Sequence, residues 1–229
     1  MKKIVCSIAF ICILFQFAQA QQFRFGLTAS PVFNWYSIDG DTYSNDGLRL
    51  GFEYGILFDQ TIGNVERYAF ATGLIINSGG GGIIYSDSLG NNVTFTNRVQ
   101  YIDIPLTIKL RTNEVNYVTY YGLFGLTPGI AIRARGDAEF DPDPFGLTTL
   151  DFDLRKDNDL NYKYQPVAMS LTLGAGMEYA MTENTALTGG IFFQNGFTNV
   201  INDDDSNASG AEDNNTRLKQ FGIRLGVLF

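Results

Sequence analysis

The chain has no histidine, one tryptophan and only two cysteines in 229 residues, and just 17% of it is charged. Each scarcity excludes something. Without histidine there is no Ser-His or Cys-His nucleophile pair, no imidazole metal ligand and no side chain that titrates unperturbed near neutrality. Both cysteines, Cys6 and Cys12, fall in the first twenty residues, so a chain cleaved after them holds no disulfide and depends on hydrogen bonds and burial. Long apolar runs are missing too. Beyond Ile4 to Phe15, nothing approaches the roughly 20 apolar residues that a spanning helix needs.

That one run reads as an address. Lys2 and Lys3 precede it, and Ala18-Gln19-Ala20 supplies a small-x-small cleavage site. The expectation is a cleaved signal peptide at 1-20 and one domain over 21-229. Ala9-Phe10-Ile11 ahead of Cys12 does not look like a lipoprotein box.

Present in abundance are alternation, glycine and aromatics, with 25 Gly and 14% Phe, Tyr and Trp. From Leu48 to Phe58, apolar residues at every second position alternate with Arg49, Gly51, Glu53 and Gly55, a period-two pattern that predicts a two-faced strand. The pattern returns at Phe23 to Ala29, Tyr68 to Asn77, Val99 to Leu110, Tyr117 to Ile132, Val167 to Tyr179, Ala186 to Phe197 and Leu218 to Phe229. Tyr121 and Leu123 blur the fifth segment by placing apolar bulk on the other face. Eight strands are expected. The connections Gln60 to Arg67, Thr112 to Asn116 and Ala180 to Thr185 are short, whereas Ser37 to Gly47, Ser78 to Asn97, Arg133 to Tyr164 and Ile201 to Thr216 are long and rich in turn residues. Short turns on one rim and long loops on the other predict an all-β, eight-stranded antiparallel up-and-down transmembrane β-barrel with short periplasmic turns and long extracellular loops, in a bacterial outer membrane.

Charge divides along the same line. The four long segments hold 17 of the 24 Asp and Glu against five basic residues, net −12, and the rest of the chain after residue 20 sums to +2. Such acidity argues against nucleic acid as a partner. Within the strands, Arg24, Arg49, Glu53, Asp103, Lys109, Glu178 and Arg224 all fall on the face opposite the apolar residues. Each Arg or Lys turned to the bilayer midplane would cost about 2–4 kcal/mol, so these seven are expected to form a polar network inside the lumen, among Gly26, Gly51, Gly55, Ala69, Gly73, Ala168, Gly174, Gly176, Gly222 and Gly226. Pro105 cannot donate to a ladder, and a local bulge is expected there. Tyr68, Tyr117, Tyr179 and Phe229 on one rim, with Trp35, Tyr36, Tyr101 and Phe197 toward the other, are read as interface girdles. The terminal Phe229, after outward Phe221, Ile223, Leu225 and Val227, reads as a signal for the outer-membrane barrel assembly machinery.

Tyr101-Ile102-Asp103-Ile104-Pro105-Leu106-Thr107-Ile108-Lys109-Leu110, then Tyr120-Tyr121-Gly122-Leu123-Phe124-Gly125 and Gly174-Ala175-Gly176-Met177-Glu178-Tyr179, together resemble the PorT-like family of outer-membrane β-barrel proteins. The resemblance covers essentially all of the chain after residue 20 and implies a small outer-membrane barrel. It takes its name from a member tied to protein secretion, but no residue here carries that role over.

Candidate chemistry is thin. The acidic stretches Asp137, Glu139, Asp141 and Asp143, then Asp151, Asp153, Asp157 and Asp159, then Asp203, Asp204 and Asp205 lack an Asp-x-Asp-x-Asp-Gly loop with a later Glu, so they read as solvated loop surface in preference to a calcium site. Glycosidic acid-base chemistry would need two carboxylates at fixed separation over a cleft, which flexible loops do not supply. Gly79 to Gly82 has no Lys-Ser or Lys-Thr after it and reads as a flexible loop before a hairpin from Ile83 to Phe95 that turns at Gly90-Asn91-Asn92. No cofactor, metal or catalytic residue is expected. The functional expectation is a non-enzymatic barrel that acts as anchor or scaffold, its acidic loops serving envelope integrity or a surface partner, with outer-membrane lipid around it. A small pore or a transport or secretion component is the alternative, and a soluble lipocalin-like barrel with inverted faces is the third reading.

Overall fold

The computed structural model describes residues 23–39, 43–63, 67–86, 92–141, 150–153, 162–203 and 215–229. The expected signal peptide, its cleavage site and the hairpin turn at Gly90-Asn91 lie outside them, as do Asp143, Asp157, Asp159, Asp204 and Asp205.

Among the described residues thirteen strands follow one another: β1 (Phe23–Asp39), β2 (Tyr43–Asn45), β3 (Arg49–Thr61), β4 (Tyr68–Ser86), β5 (Asn92–Asp103), β6 (Leu106–Arg111), β7 (Val118–Asp141), β8 (Leu150–Asp153), β9 (Tyr162–Tyr164), β10 (Val167–Ala180), β11 (Ala186–Gly196), β12 (Ile201–Asp203) and β13 (Asn215–Leu228). Eight strand positions form the wall, in the order β1, β3, β4, β5 continued by β6, β7, β10, β11 and β13, all antiparallel. The last strand pairs with the first from Gly26↔Leu228 to Asp39↔Asn215, which closes the ring. A closed ring leaves no backbone donor or acceptor at an edge, the condition a sheet must meet in hydrocarbon.

Alternation fixes which face is which. Leu27, Leu50, Leu74, Phe124, Ile191 and Leu225 are exposed on the outside, while Ser30, Asn34, Glu53, Asn77, Thr172 and Gln220 are buried inside. At the rim that carries both described termini, three short connections join β3 to β4, β6 to β7 and β10 to β11. The second, residues 112–117, ends in a two-residue turn. Asn116 and Tyr117 both have positive φ, 53° and 66°, and Val115 and Val118 exchange backbone hydrogen bonds of 2.9 and 3.0 Å across it. That backbone twist matches the strands on either side, which is why the turn tolerates a tyrosine in a conformation that usually needs Gly or Asn.

The wall rises higher on the other rim than the sequence pattern suggests. β1 continues ten residues beyond Ala29, β4 runs on to Ser86 and β7 to Asp141. Gly79 to Gly82, expected as a loop, is strand. It pairs from Gly79↔Val99 to Gly82↔Thr96, and the expected hairpin continues that ladder through Ile83↔Phe95 to Ser86↔Asn92. Close approach requires glycine here, since a Cβ at Gly81 would run into the Tyr36 ring. The first residues of the segment from Arg133 to Tyr164, expected as a long loop, are likewise strand, pairing with β5 up to Asn92↔Asp141 and with β8 from Arg135↔Asp153 to Ala138↔Leu150. A second, two-stranded sheet joins β9 to β12.

The expected bulge at Pro105 is absent. Both neighbours keep their register past it, from Asp103↔Gly129 to Leu106↔Leu126 on one side and from Ile75↔Asp103 to Thr72↔Leu106 on the other. The ladder lapses for two residues without an insertion, and the Ile104 N–H still donates to the Pro128 carbonyl at 2.9 Å. The register shift lies instead between Gln100 and Tyr101, which face Arg133 and Ala131 and leave Ile132 as the extra residue.

Candidate functional site

The lumen is the one region where sequence, burial and charge converge. Its first layer lies near the short-turn rim. Lys109 and Arg111 project from β6, Asp59 from β3, Arg24 from β1 and Glu178 from β10. Asp59 accepts from Lys109 Nζ at 2.6 Å and Arg111 Nη2 at 2.7 Å, and lies 3.6 Å from Arg24. Glu178 is bound by Arg24 at 2.7 Å and by Lys109. Apart from Arg24, these side chains are almost wholly buried. Five charges on four different wall strands are thus cross-linked into one knot.

Aromatic rings fill the next level. The Lys109 ammonium sits 4.5 Å from the centre of the Tyr121 ring, whose hydroxyl shares a hydrogen bond with Thr188 Oγ1 at 3.2 Å. Phe192 is buried under the Arg224 guanidinium, 4.6 Å from its ring. Gly222 makes the room, since a Cβ there would overlap the Phe192 ring.

A second polar layer follows. Gln220 donates from Nε2 to Glu53, and Asn77 donates to Asp103 Oδ2 at 2.9 Å and to Gln220 Oε1 at 3.0 Å. Across the two layers stand four cations, Arg24, Lys109, Arg111 and Arg224, and four carboxylates, Asp59, Glu178, Glu53 and Asp103. In the first layer the direct ion pairs avoid the several kcal/mol that an uncompensated buried charge costs. A cavity of about 30 Å³ beside this layer, lined by Asn77, Asp103, Thr127, Ser170, Gln194 and Gln220 among others, has room for about one water. Ser30 and Asn34, fully buried nearby, have side-chain polar atoms that meet no partner among the described residues. They mark the least satisfied level of the interior.

The long-loop end of the lumen is capped by hydrocarbon. Tyr36, Ile83, Val99, Tyr101, Ala131, Ala134 and Val200 form one buried cluster. Tyr36 and Tyr101, expected as interface aromatics, therefore point inward, 1% and 2% exposed. Their positions share the parity of the lumen residues Asn34 and Asp103, and near the rim the lumen itself is apolar. Tyr68, Tyr117, Tyr179 and Phe229 are exposed at the other rim. Phe229 exchanges backbone hydrogen bonds with Phe25 at 2.7 and 3.2 Å and packs on its ring, tying the chain end into the barrel seam.

Six of the seven residues expected in the polar network, Arg24, Glu53, Asp103, Lys109, Glu178 and Arg224, thus enter these layers. Arg49 does not. Its guanidinium binds Asp46 at 2.5 Å and Thr96 Oγ1 at 3.0 Å at the long-loop rim, because β3 ends there and a long side chain reaches across Gly82. Asp59 and Arg111 were missed for a simple reason. Both have lumen parity but lie one residue beyond the predicted strand ends, Phe58 and Leu110. Phe192 was also legible, since Ile191-Phe192-Phe193 are consecutive apolar residues and one of any such pair must face inward.

Residues 17–202 match the family described as Outer membrane protein beta-barrel domain. The chain belongs to this family. With membership comes its place, the bacterial outer membrane, with the short turns toward the periplasm and the long loops outside. Several solved outer-membrane proteins are similar to this chain at low sequence identity. Neisserial surface protein A is 13% identical with a TM-score of 0.43 over 92% of this chain and 98% of its own. A major outer membrane protein of Thermus thermophilus is 13% identical, TM-score 0.44, over 91% and 99%. OprG of Pseudomonas aeruginosa is 9% identical, TM-score 0.41, over 89% and 94%. No curated protein matches the sequence.

Proposed function

We propose that this barrel is a non-enzymatic outer-membrane anchor whose closed interior is a structural plug and whose acidic extracellular loops serve envelope integrity or contact a surface partner. The observation that carries this reading is the lumen itself: Arg24, Lys109 and Arg111 ion-paired with Asp59 and Glu178, an amide-held polar layer beyond them, aromatic rings between the layers, and an apolar cap. Asp59 and Glu178 are each held by two or more cations, an arrangement suited to stiffness and poorly suited to acid-base work. The absence of histidine from the chain points the same way. Kinship with PorT-like proteins, removal of residues 1–20 and recognition of Phe229 by the assembly machinery belong to the same proposal.

The competing reading is a small pore or a transport or secretion component, and conductance separates the two. In a planar bilayer the refolded protein should be electrically silent, and it should stay silent in Phe192→Ala, which removes one ring but leaves Tyr121, the ionic layer and the apolar cap in place. Steady conductance of the unaltered protein that falls or rises in Lys109→Ala would install the pore reading in its place.

A further inference from the structure

The extracellular side of this chain is strongly acidic, yet the outward wall just above its apolar belt is basic. Arg98 on β5 is 76% exposed, and Arg133 and Arg135 on β7 are exposed on the same outer face. Arg98 stands directly opposite Arg135, and Gln100 opposite Arg133. Below them on the same face lie Ile102, facing Ile130, and the exposed Ile132. Like charges directly opposite on a ladder are destabilising, so this arrangement has a cost that anions lying over it would relieve. Asp137, 2.9 Å from Arg98, and Asp153, placed opposite Arg135 on its other side by the β7–β8 register, are two such anions supplied by the wall itself, and they offset part of that cost.

The bulge in β7 creates the patch. Inward Ala131 would, by strict alternation, put Arg133 and Arg135 in the lumen and Ala134 outside. The extra residue at Ile132 inverts that order, so that Ala134 is fully buried in the apolar cap and both arginines face out. Three strand positions round the ring from β7, Arg217 and Lys219 of β13 share the outward parity of Phe221 and rise above it, opposite Ser37 and Trp35.

We infer that Arg98, Arg133 and Arg135 form a binding site for the phosphate groups of a phosphorylated glycolipid in the outer leaflet, with Arg217 and Lys219 as a second contact on the opposite side. The site sits where the headgroups of that leaflet meet the wall, and guanidinium groups hold phosphate oxygens by paired hydrogen bonds. The inference depends on the barrel's place in the outer membrane and is independent of whether the lumen conducts.

The test uses the refolded protein in phosphatidylcholine vesicles that contain either bisphosphorylated lipid A or its dephosphorylated form, with retained lipid counted by native mass spectrometry. The unaltered protein should retain the phosphorylated lipid selectively. Roughly five-fold should be lost per arginine removed, so Arg98→Gln/Arg133→Gln/Arg135→Gln should lose on the order of a hundred-fold, and the matching Lys variant should keep part of the binding. If the triple Gln variant does not refold, Arg133→Gln alone carries the test, with a loss of about five-fold. Equal retention of both lipid forms, or undiminished retention by the Gln variants, would overturn the site. Release of the lipid by inorganic phosphate at equal phosphate concentration would overturn its assignment to a membrane glycolipid.

Discussion

The two ends of the lumen solve one packing problem with opposite chemistry. Toward the periplasm the interior is filled by Arg24, Asp59, Lys109, Arg111 and Glu178, and toward the outside by Tyr36, Ile83, Val99, Tyr101, Ala131, Ala134 and Val200. Lipid imposes one rule on the outer face along its whole height, while the inner face is free to vary from layer to layer. The difference teaches that the lumen is built as a sequence of seals. Ionic cross-links tie distant strands together at one end, and shape complementarity closes the other.

The largest expected effect comes from breaking the ionic end. Glu178→Ala leaves three buried or half-buried cations facing only Asp59, and should cost about 3–5 kcal/mol in urea unfolding of the folded barrel. The apolar end should respond almost as strongly to a deletion. Tyr36→Ala removes a buried ring and should cost about 3–5 kcal/mol, with a larger spread because the rim strands can partly collapse into the void. A cost below about 1 kcal/mol in either variant would deny that end its role as a seal. Adding volume sharpens the contrast. Gly81→Ala drives a methyl into the Tyr36 ring and should cost about 1–3 kcal/mol, and combining it with Tyr36→Ala should recover most of that loss. The smallest effect is expected at Arg49. Its guanidinium is partly exposed and pairs with a partly exposed Asp46, so Arg49→Ala should shift stability by less than about 1 kcal/mol. A shift of the size expected for Glu178→Ala would put Arg49 back in the lumen network.

Much of this was legible beforehand, and the misses share causes. Strand centres and facing followed from alternation because the penalty for a charge in lipid is large and acts at every position. Strand ends were cut short because alternation fades where lipid no longer enforces it. That cost Asp59 and Arg111 their places in the charge layer and made strand at Gly79 to Gly82 look like loop. Tyr36 and Tyr101 face inward against expectation, since an aromatic near a rim has two apolar destinations, the membrane interface and the lumen cap, and residue type does not choose between them. Arg49 has lumen parity, but parity places a Cβ and not the end of a long side chain.

The sequence by itself determined a two-faced, eight-stranded wall, its asymmetric rims and the sign of its loops, because each depends on local alternation, turn chemistry and composition. Tertiary structure alone decided which lumen charges meet, where the wall ends and which way Arg133 and Arg135 face. Those depend on closure of β13 against β1, which brings residues more than 150 positions apart into contact, as in Arg24 and Glu178. They depend equally on one extra residue in β7, whose insertion no alternation pattern records and whose consequence is to exchange the two faces of everything beyond it.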